Sequence, residues 1–263
     1  MSAPRARKRF GQHFLTDSFV LNQIASAIAL RATDRVFEIG PGRGALTDVL
    51  YGDCEHYRAV EIDRDLIEEL GQRFPALDLT QGDILEVPLA TLLADGPWRV
   101  VGNLPYNIST PLLERLFEQL DQVRDIHVML QKEVADRLAA QPGTKAYGRL
   151  SVGAQVRAEI VPLFDVPPES FTPPPAVNSA VLRLLPLPAS QRLPAPVAHA
   201  LDRCLRLAFQ QRRKRLSNAL KSLAIDFAAL DLDPALRADQ VSVAAYVQLA
   251  QWLAVERGEL LRE

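Results

Sequence analysis

The chain has 263 residues, 48% of them hydrophobic and 24% charged, enough apolar material for one large domain and a small one. No apolar run approaches membrane-spanning length and the basic start is followed by no apolar signal core, so neither a membrane partner nor export is expected. Cys54 and Cys204 are far apart and lack metal-ligand spacing, which argues against a metal site or a disulfide framework and for a reducing, cytoplasmic setting.

The net charge of -2 argues against indiscriminate nucleic-acid binding, but the charge is unevenly distributed. After residue 188 there are 11 Lys+Arg against 8 Asp+Glu, and before it 19 against 24. The excess positive charge sits in Arg212, Arg213, Lys214 and Arg215, with a second cluster at Arg5, Arg7, Lys8 and Arg9.

In chain order, the basic arm leads into a polar and aromatic turn around Gln12, His13 and Leu15, then an amphipathic helix from Phe19 to Leu30. Arg35 to Ile39 reads as a buried strand, followed by Gly40-Pro41-Gly42-Arg43-Gly44 and a helix through Leu50. Strand, glycine turn and helix form the ligand-binding layout of a doubly wound sheet. The spacing Gly40-x-Gly42-x-x-Ala45 also admits a nicotinamide dinucleotide. Glu38 inside the strand would repel a pyrophosphate and suits an amino group and a sulfonium, which favours S-adenosylmethionine.

A second strand, His56 to Val60, ends at Glu61, placed to hold both ribose hydroxyls of such a ligand. Asp63 caps the next helix. A third strand, Leu77 to Gln81, is followed by Asp83, an acceptor for an adenine amine, and Ile62 and Ile84 are positioned to sandwich the ring.

Trp98 to Val101 is the fourth strand, closed by Gly102 and then Asn103-Leu104-Pro105-Tyr106. Pro105 forces Leu104 away from helix and leaves its carbonyl for a ligand. Asn103 adds an amide oxygen and Tyr106 a flat face with a polar tip. Two acceptors and a stacking plate suit the exocyclic amine of a planar base, whose delocalised lone pair attacks a methyl group only when the nitrogen pyramidalises. Thr110-Pro111 opens the following helix.

Strands follow at Ile126 to Leu130, Val156 to Phe164 and Ser179 to Leu185, with a helix at Lys132 to Ala140. Residues 166–176 are too proline-rich for strand or helix, and this stiff loop is expected to hold Phe171 as a second stacking face. Prolines at residues 186–196 mark a linker, beyond which Val197 to Phe209, Leu216 to Leu223 and Ala244 to Val255 read as helices. Two domains are therefore expected, 1–188 for the cofactor and 189–263, all helical, for RNA, with Arg212 to Arg215 on phosphates.

Assembled, these segments resemble the small-subunit ribosomal RNA adenine N6,N6-dimethyltransferase family. The resemblance rests on KRFGQHFL at 8–15, EIGPGRGALT at 38–47, VEID at 60–63, GDIL at 82–85, NLPY at 103–106, PESFTPPPAV at 168–177 and AFQQRRKRLSNAL at 208–220. It implies a Rossmann-like α/β methyltransferase sheet with a helical C-terminal domain, S-adenosyl-L-methionine as donor and S-adenosyl-L-homocysteine as product. The implied target is two adjacent adenosines near the 3′ end of small-subunit rRNA, and the chain is expected to be a monomer acting on immature small subunits. By motif position, Gln12, His13 and Leu15 close over the cofactor, Gly40 and Gly42 lie under it, Glu61 takes the ribose, Asp83 the adenine, and Asn103 sits between cofactor and target. His13 stands where relatives often carry Asn, which assigns its role to the backbone. The alternatives are a large-subunit adenine methyltransferase of the antibiotic-resistance type and a non-catalytic rRNA-binding assembly factor.

Overall fold

The structure is a computed structural model that describes residues 12–256; the expected phosphate contacts Arg7, Lys8 and Arg9 lie outside the described residues. The described residues form nine strands, with α-helices between successive strands as far as β7: β1 Phe14–Leu15, β2 Arg35–Ile39, β3 His56–Glu61, β4 Asp78–Gln81, β5 Trp98–Asn103, β6 Val123–Gln131, β7 Ala158–Val166, β8 Phe171–Thr172 and β9 Ser179–Pro186. Seven form one sheet in the order β4-β3-β2-β5-β6-β9-β7. From β4 to β6 the neighbours run parallel, and β9 adds antiparallel to β6. The chain winds outward from β2 to β4, then returns to place β5 on the other side of β2. That reversal opens a crevice beyond the carboxyl ends of β2 and β5, where doubly wound sheets bind ligands.

Sequence and structure agree on every strand of this sheet to within a few residues, because buried parallel strands are short apolar runs that glycines and acids terminate. The first helix, Ser18–Ile28, starts where Asp17 accepts from the Phe19 and Val20 amides at 2.9 and 3.3 Å. It stops at Ala29, whose φ of 50° breaks the ladder before the expected end at Leu30.

The proline-rich segment contains regular structure after all. Phe171 and Thr172 pair antiparallel with Leu15 and Phe14, joining the N-terminal arm to this loop. Prolines flank the pair and need donate none of its hydrogen bonds, which is how so proline-rich a segment still carries a two-residue strand.

Contacts divide the chain into two units. One runs to Ala135 and includes Val161–Pro186; the other comprises Asp136–Ile160 and the residues from Leu187 onward. Residues 136–160, read from sequence as part of the first domain, therefore belong with the helices. Tyr147, Val152 and Val156 are buried with Leu201, Leu205, Tyr246 and Leu249, and an additional short helix, Arg149–Gln155, lies in this segment.

At the amino ends of the strands, Arg99 is buried within what reads as an apolar run. Its Nε and Nη2 donate to the two Asp125 oxygens at 3.0 and 2.8 Å, and Nη1 donates to Asp34 at 3.0 Å. Against the burial that raises it, His127 at 3.5 Å and Arg99 hold the Asp125 carboxyl down to about 2. Removing Arg99 takes both close charge-assisted hydrogen bonds from buried Asp125, leaving it Arg183 at 3.7 Å and His127 at 3.5 Å, while Asp34 keeps Arg124 at 2.6 Å. We expect Arg99→Ala to lower stability by about 3 to 5 kcal/mol, measured by urea denaturation; a loss within about 0.5 kcal/mol, ordinary for surface positions, would show that the cluster is not structural.

Candidate active site

The carboxyl ends of β2, β3 and β5 surround a cavity of about 370 Å³, a size suited to a small ligand. Gly40 and Gly42 start its floor with φ of 63° and 59°, left-handed values that a side chain would strain. A Cβ on Gly42 would also meet the Phe14 ring at 3.2 Å, so the turn and the N-terminal arm fit each other without clearance. The Arg43 guanidinium covers that ring at 4.6 Å, a contact with no sequence signal beyond the residue types.

Glu61 holds the turn in place. Its Oε2 accepts from Gly42 N at 3.0 Å, and its Oε1 accepts from Ile62 N and Asp63 N, both at 2.9 Å. Burial raises its pKa against these three hydrogen bonds, which lower it. A carboxylate offers about four acceptor positions, so three are committed to backbone. Asp83, at the end of β4, caps its own loop through Leu85 N at 2.8 Å and lines the cavity with Ile62 and Ile84. Ile62 is 40% exposed, unusual for isoleucine, whereas Ile84 is buried; together they offer two apolar walls.

Glu38 is fully buried in the cavity wall, accepting from Thr47 Oγ1 at 2.6 Å and Tyr57 OH at 2.7 Å. Burial pushes its carboxyl up to about 7 despite those two hydrogen bonds.

Opposite the glycine turn, Asn103 Nδ2 donates to the His13 carbonyl at 2.9 Å. That bond fixes the amide, leaving Oδ1 as the acceptor of the side chain. Leu104 is buried and its amide donates to Met129 O at 3.1 Å. The Pro105 carbonyl accepts from Ile108 N and Ser109 Oγ, both at 3.1 Å, so the helix begins at Ser109, just before the expected Thr110-Pro111. Tyr106 is anchored by its hydroxyl to Ser179 Oγ at 2.7 Å, and its ring stacks on His13 with centroids 5.8 Å apart and planes 23° apart.

The structure thus brings Gln12, His13, Leu15, Glu38, Gly40, Gly42, Glu61, Ile62, Asp83, Ile84, Asn103, Leu104, Pro105 and Tyr106 around one cavity. It does not bring Phe171 there. Phe171 is 2% exposed, in the apolar cluster with Leu15, Val166 and Val181, because its pairing with Leu15 turns the ring into the core. The expectation of a second stacking face at Phe171 is corrected accordingly. In the helical unit, Arg212 is also reassigned: its Nε lies 3.3 Å from Asp239 Oδ2 and Nη2 donates to Lys145 O at 2.8 Å. It ties loops together, whereas Arg213, Lys214 and Arg215 are exposed. Among the described residues, no cluster of His, Cys, Asp and Glu suits a metal ion, and no helix is long and apolar enough to cross a membrane.

A doubly wound sheet with this glycine turn, acids closing successive strands and an Asn-Leu-Pro-Tyr wall is the architecture of a Rossmann-like class I methyltransferase. The fold is shared with a dimethyladenosine transferase from Plasmodium falciparum, at a TM-score of 0.79 and 24% identity over 90% of this chain and 96% of that one. It is also shared with the 23S rRNA methyltransferase ErmE, at 0.72 and 22% over 91% and 99%. Residues 3–256 match the model of the ribosomal RNA adenine dimethylase family, and the chain belongs to that family. Ribosomal RNA small subunit methyltransferase A of Aromatoleum aromaticum is 50% identical over 260 residues, 97% of each chain. The protein of the same name from Coxiella burnetii strain RSA 493 / Nine Mile phase I is 47% identical over 255 residues, 94% of this chain and 97% of that one. The chain is accordingly an S-adenosylmethionine-dependent enzyme of rRNA adenine dimethylation.

The Glu38 shift has a measurable consequence. Its folded pKa lies above the unfolded value of 4.5, so its contribution to stability is present below about 4.5 and lost as pH rises through about 7. We expect the protein to lose stability between about pH 5 and about pH 8 relative to Glu38→Gln, by on the order of a few kcal/mol at most. Urea midpoints of both proteins at the two pH values check this; parallel pH dependence would show that Glu38 ionises freely in the folded state.

Proposed function

We propose that this protein methylates the N6 amines of two adjacent adenosines in the 3′-terminal hairpin loop of small-subunit rRNA, two methyl groups each, within the immature small subunit. The observation that carries the reading is the fixed Asn103 amide: its donor is spent on the His13 carbonyl, and its oxygen remains beside Tyr106 and the Leu104 turn. The names of the relatives favour the small-subunit rRNA over the large.

The residues present fit the donor. Asp83 accepts from a purine amine between Ile62 and Ile84. Glu61, with three backbone amides already on it, has room for about one ribose hydroxyl, a narrower role than holding both. Glu38 and the glycine turn suit a cationic, amino-bearing tail. Bound S-adenosylmethionine supplies an electrophilic methyl group on a sulfonium. In the first transfer Asn103 Oδ1 and the Leu104 carbonyl accept the two hydrogens of the target amine, and in the second one of them accepts the single hydrogen left, favouring the pyramidal nitrogen whose lone pair can attack. Tyr106 holds the base by its face, and a base in a loop is easier to splay out than one in a duplex. Each transfer releases one amine proton to water.

Asn103→Ala removes one acceptor and leaves the Pro105 turn and Tyr106 in place. We expect its single-turnover rate on small subunits at saturating enzyme to fall on the order of a hundredfold to a thousandfold. Tyr106→Ala loses a stack worth about 1 to 3 kcal/mol, shared between binding and orientation, and Tyr106→Phe, which loses only the Ser179 hydrogen bond, is expected to be the mildest. Asn103→Ala at the parent rate would remove the amide from the chemistry.

The exposed Arg213, Lys214 and Arg215 are proposed to contact RNA phosphates. Neutralising all three is expected to weaken RNA binding, lower the salt slope by about 2 to 3 and leave S-adenosylmethionine affinity unchanged. An unchanged salt slope would return them to an ordinary solvated turn.

A further inference from the structure

With Phe171 in the core, Tyr106 lacks the partner ring expected from sequence, and the ring facing it belongs to His13. Resting on the adenine-methylation reading above, we propose that His13 is the second base-contacting plate, with the target adenine held between its imidazole and the Tyr106 ring.

Both plates are fixed, and by different segments. His13 Nδ1 lies 2.8 Å from the Pro173 carbonyl, which can only accept, so this nitrogen carries the proton and the ring is tied to the proline loop. The His13 carbonyl is held by Asn103 Nδ2, and the next residue, Phe14, pairs with Thr172. Tyr106 is anchored through Ser179, at the start of β9. A ring held at its backbone and at one nitrogen is a poor candidate for a loose plug that a base sweeps aside.

The two rings already lie face to face. A base stacked on both sides needs ring planes about 6.8 Å apart, two stacking steps of about 3.4 Å. The centroids stand 5.8 Å apart with planes only 23° from parallel, so the rings face each other and must part for a base to enter between them. Asn103, whose oxygen awaits the amine, is bonded to the backbone of His13 itself. One residue therefore sets both the second face of the base and the orientation of the group that reads its amine.

The test is single-turnover methylation of small ribosomal subunits at saturating enzyme and S-adenosylmethionine, with His13→Ala, His13→Phe and His13→Leu beside the parent. We expect His13→Ala to be slower by roughly fivefold to 150-fold, the cost of one lost base–aromatic stack. His13→Phe should recover most of the rate and His13→Leu little of it, a distinction that simple packing does not make. His13→Ala at the parent rate, His13→Leu recovering as well as His13→Phe, or His13→Phe as slow as His13→Ala would each overturn the role. Should the parent itself leave the adenosines unmethylated, the functional reading fails and this proposal with it; failure of the variants' pattern alone leaves that reading standing.

Discussion

The site depends on one carboxylate that bonds to backbone. Glu61 ends β3 and draws in the amides of Gly42, Ile62 and Asp63, joining the glycine turn after β2 to the loop after β3. Without an acceptor there, the buried Asp63 amide would be unsatisfied at a cost of about 1 to 3 kcal/mol, and the part-buried amides of Gly42 and Ile62 would lose their shared partner. With it, the turn keeps the left-handed geometry that presents backbone toward the cavity. The N-terminal arm then has a surface to cross: Phe14 packs on Gly42, and His13 reaches Asn103 and Tyr106.

That arm makes the ligand site and the reacting wall one structure. Residues 12–15 bond to Asp63 through Gln12, to Asn103 through the His13 carbonyl, and to the proline loop through Phe14 and Leu15. The arm, the glycine turn and the Asn-Leu-Pro-Tyr wall are separated by long stretches of chain, yet each limits where the others can move. Buried Arg99 serves the opposite end of the sheet, joining Asp34 and Asp125 so that β2, β5 and β6 start together.

Much of this was legible in the sequence because topology does the work. In a doubly wound sheet the residue after each apolar run lies at a strand's carboxyl end, so Glu61, Asp83 and Asn103 converge once the strands are found. What was not legible depends on directions that spacing does not encode. Proline content told that the loop around Phe171 is stiff, but only the pairing with Leu15 decides that its ring faces the core. Arg212 looked like its three neighbours in the basic run, and its partners, Asp239 and the Lys145 carbonyl, are far away in sequence. Arg99 was hidden in an apolar run because a buried arginine is recognisable only with its carboxylates in view. The sequence points to a backbone contact at His13, which its carbonyl makes with Asn103, while its ring orientation follows from the Pro173 carbonyl.

The central claim is tested most directly by mass mapping of the adenosines in the 3′-terminal hairpin of small-subunit rRNA, from cells with and without this protein. The account predicts N6,N6-dimethyladenosine at two adjacent positions when the protein is present and unmodified adenosine at both when it is absent. Full dimethylation in cells lacking the protein, or a mark lost from large-subunit rRNA instead, would contradict it.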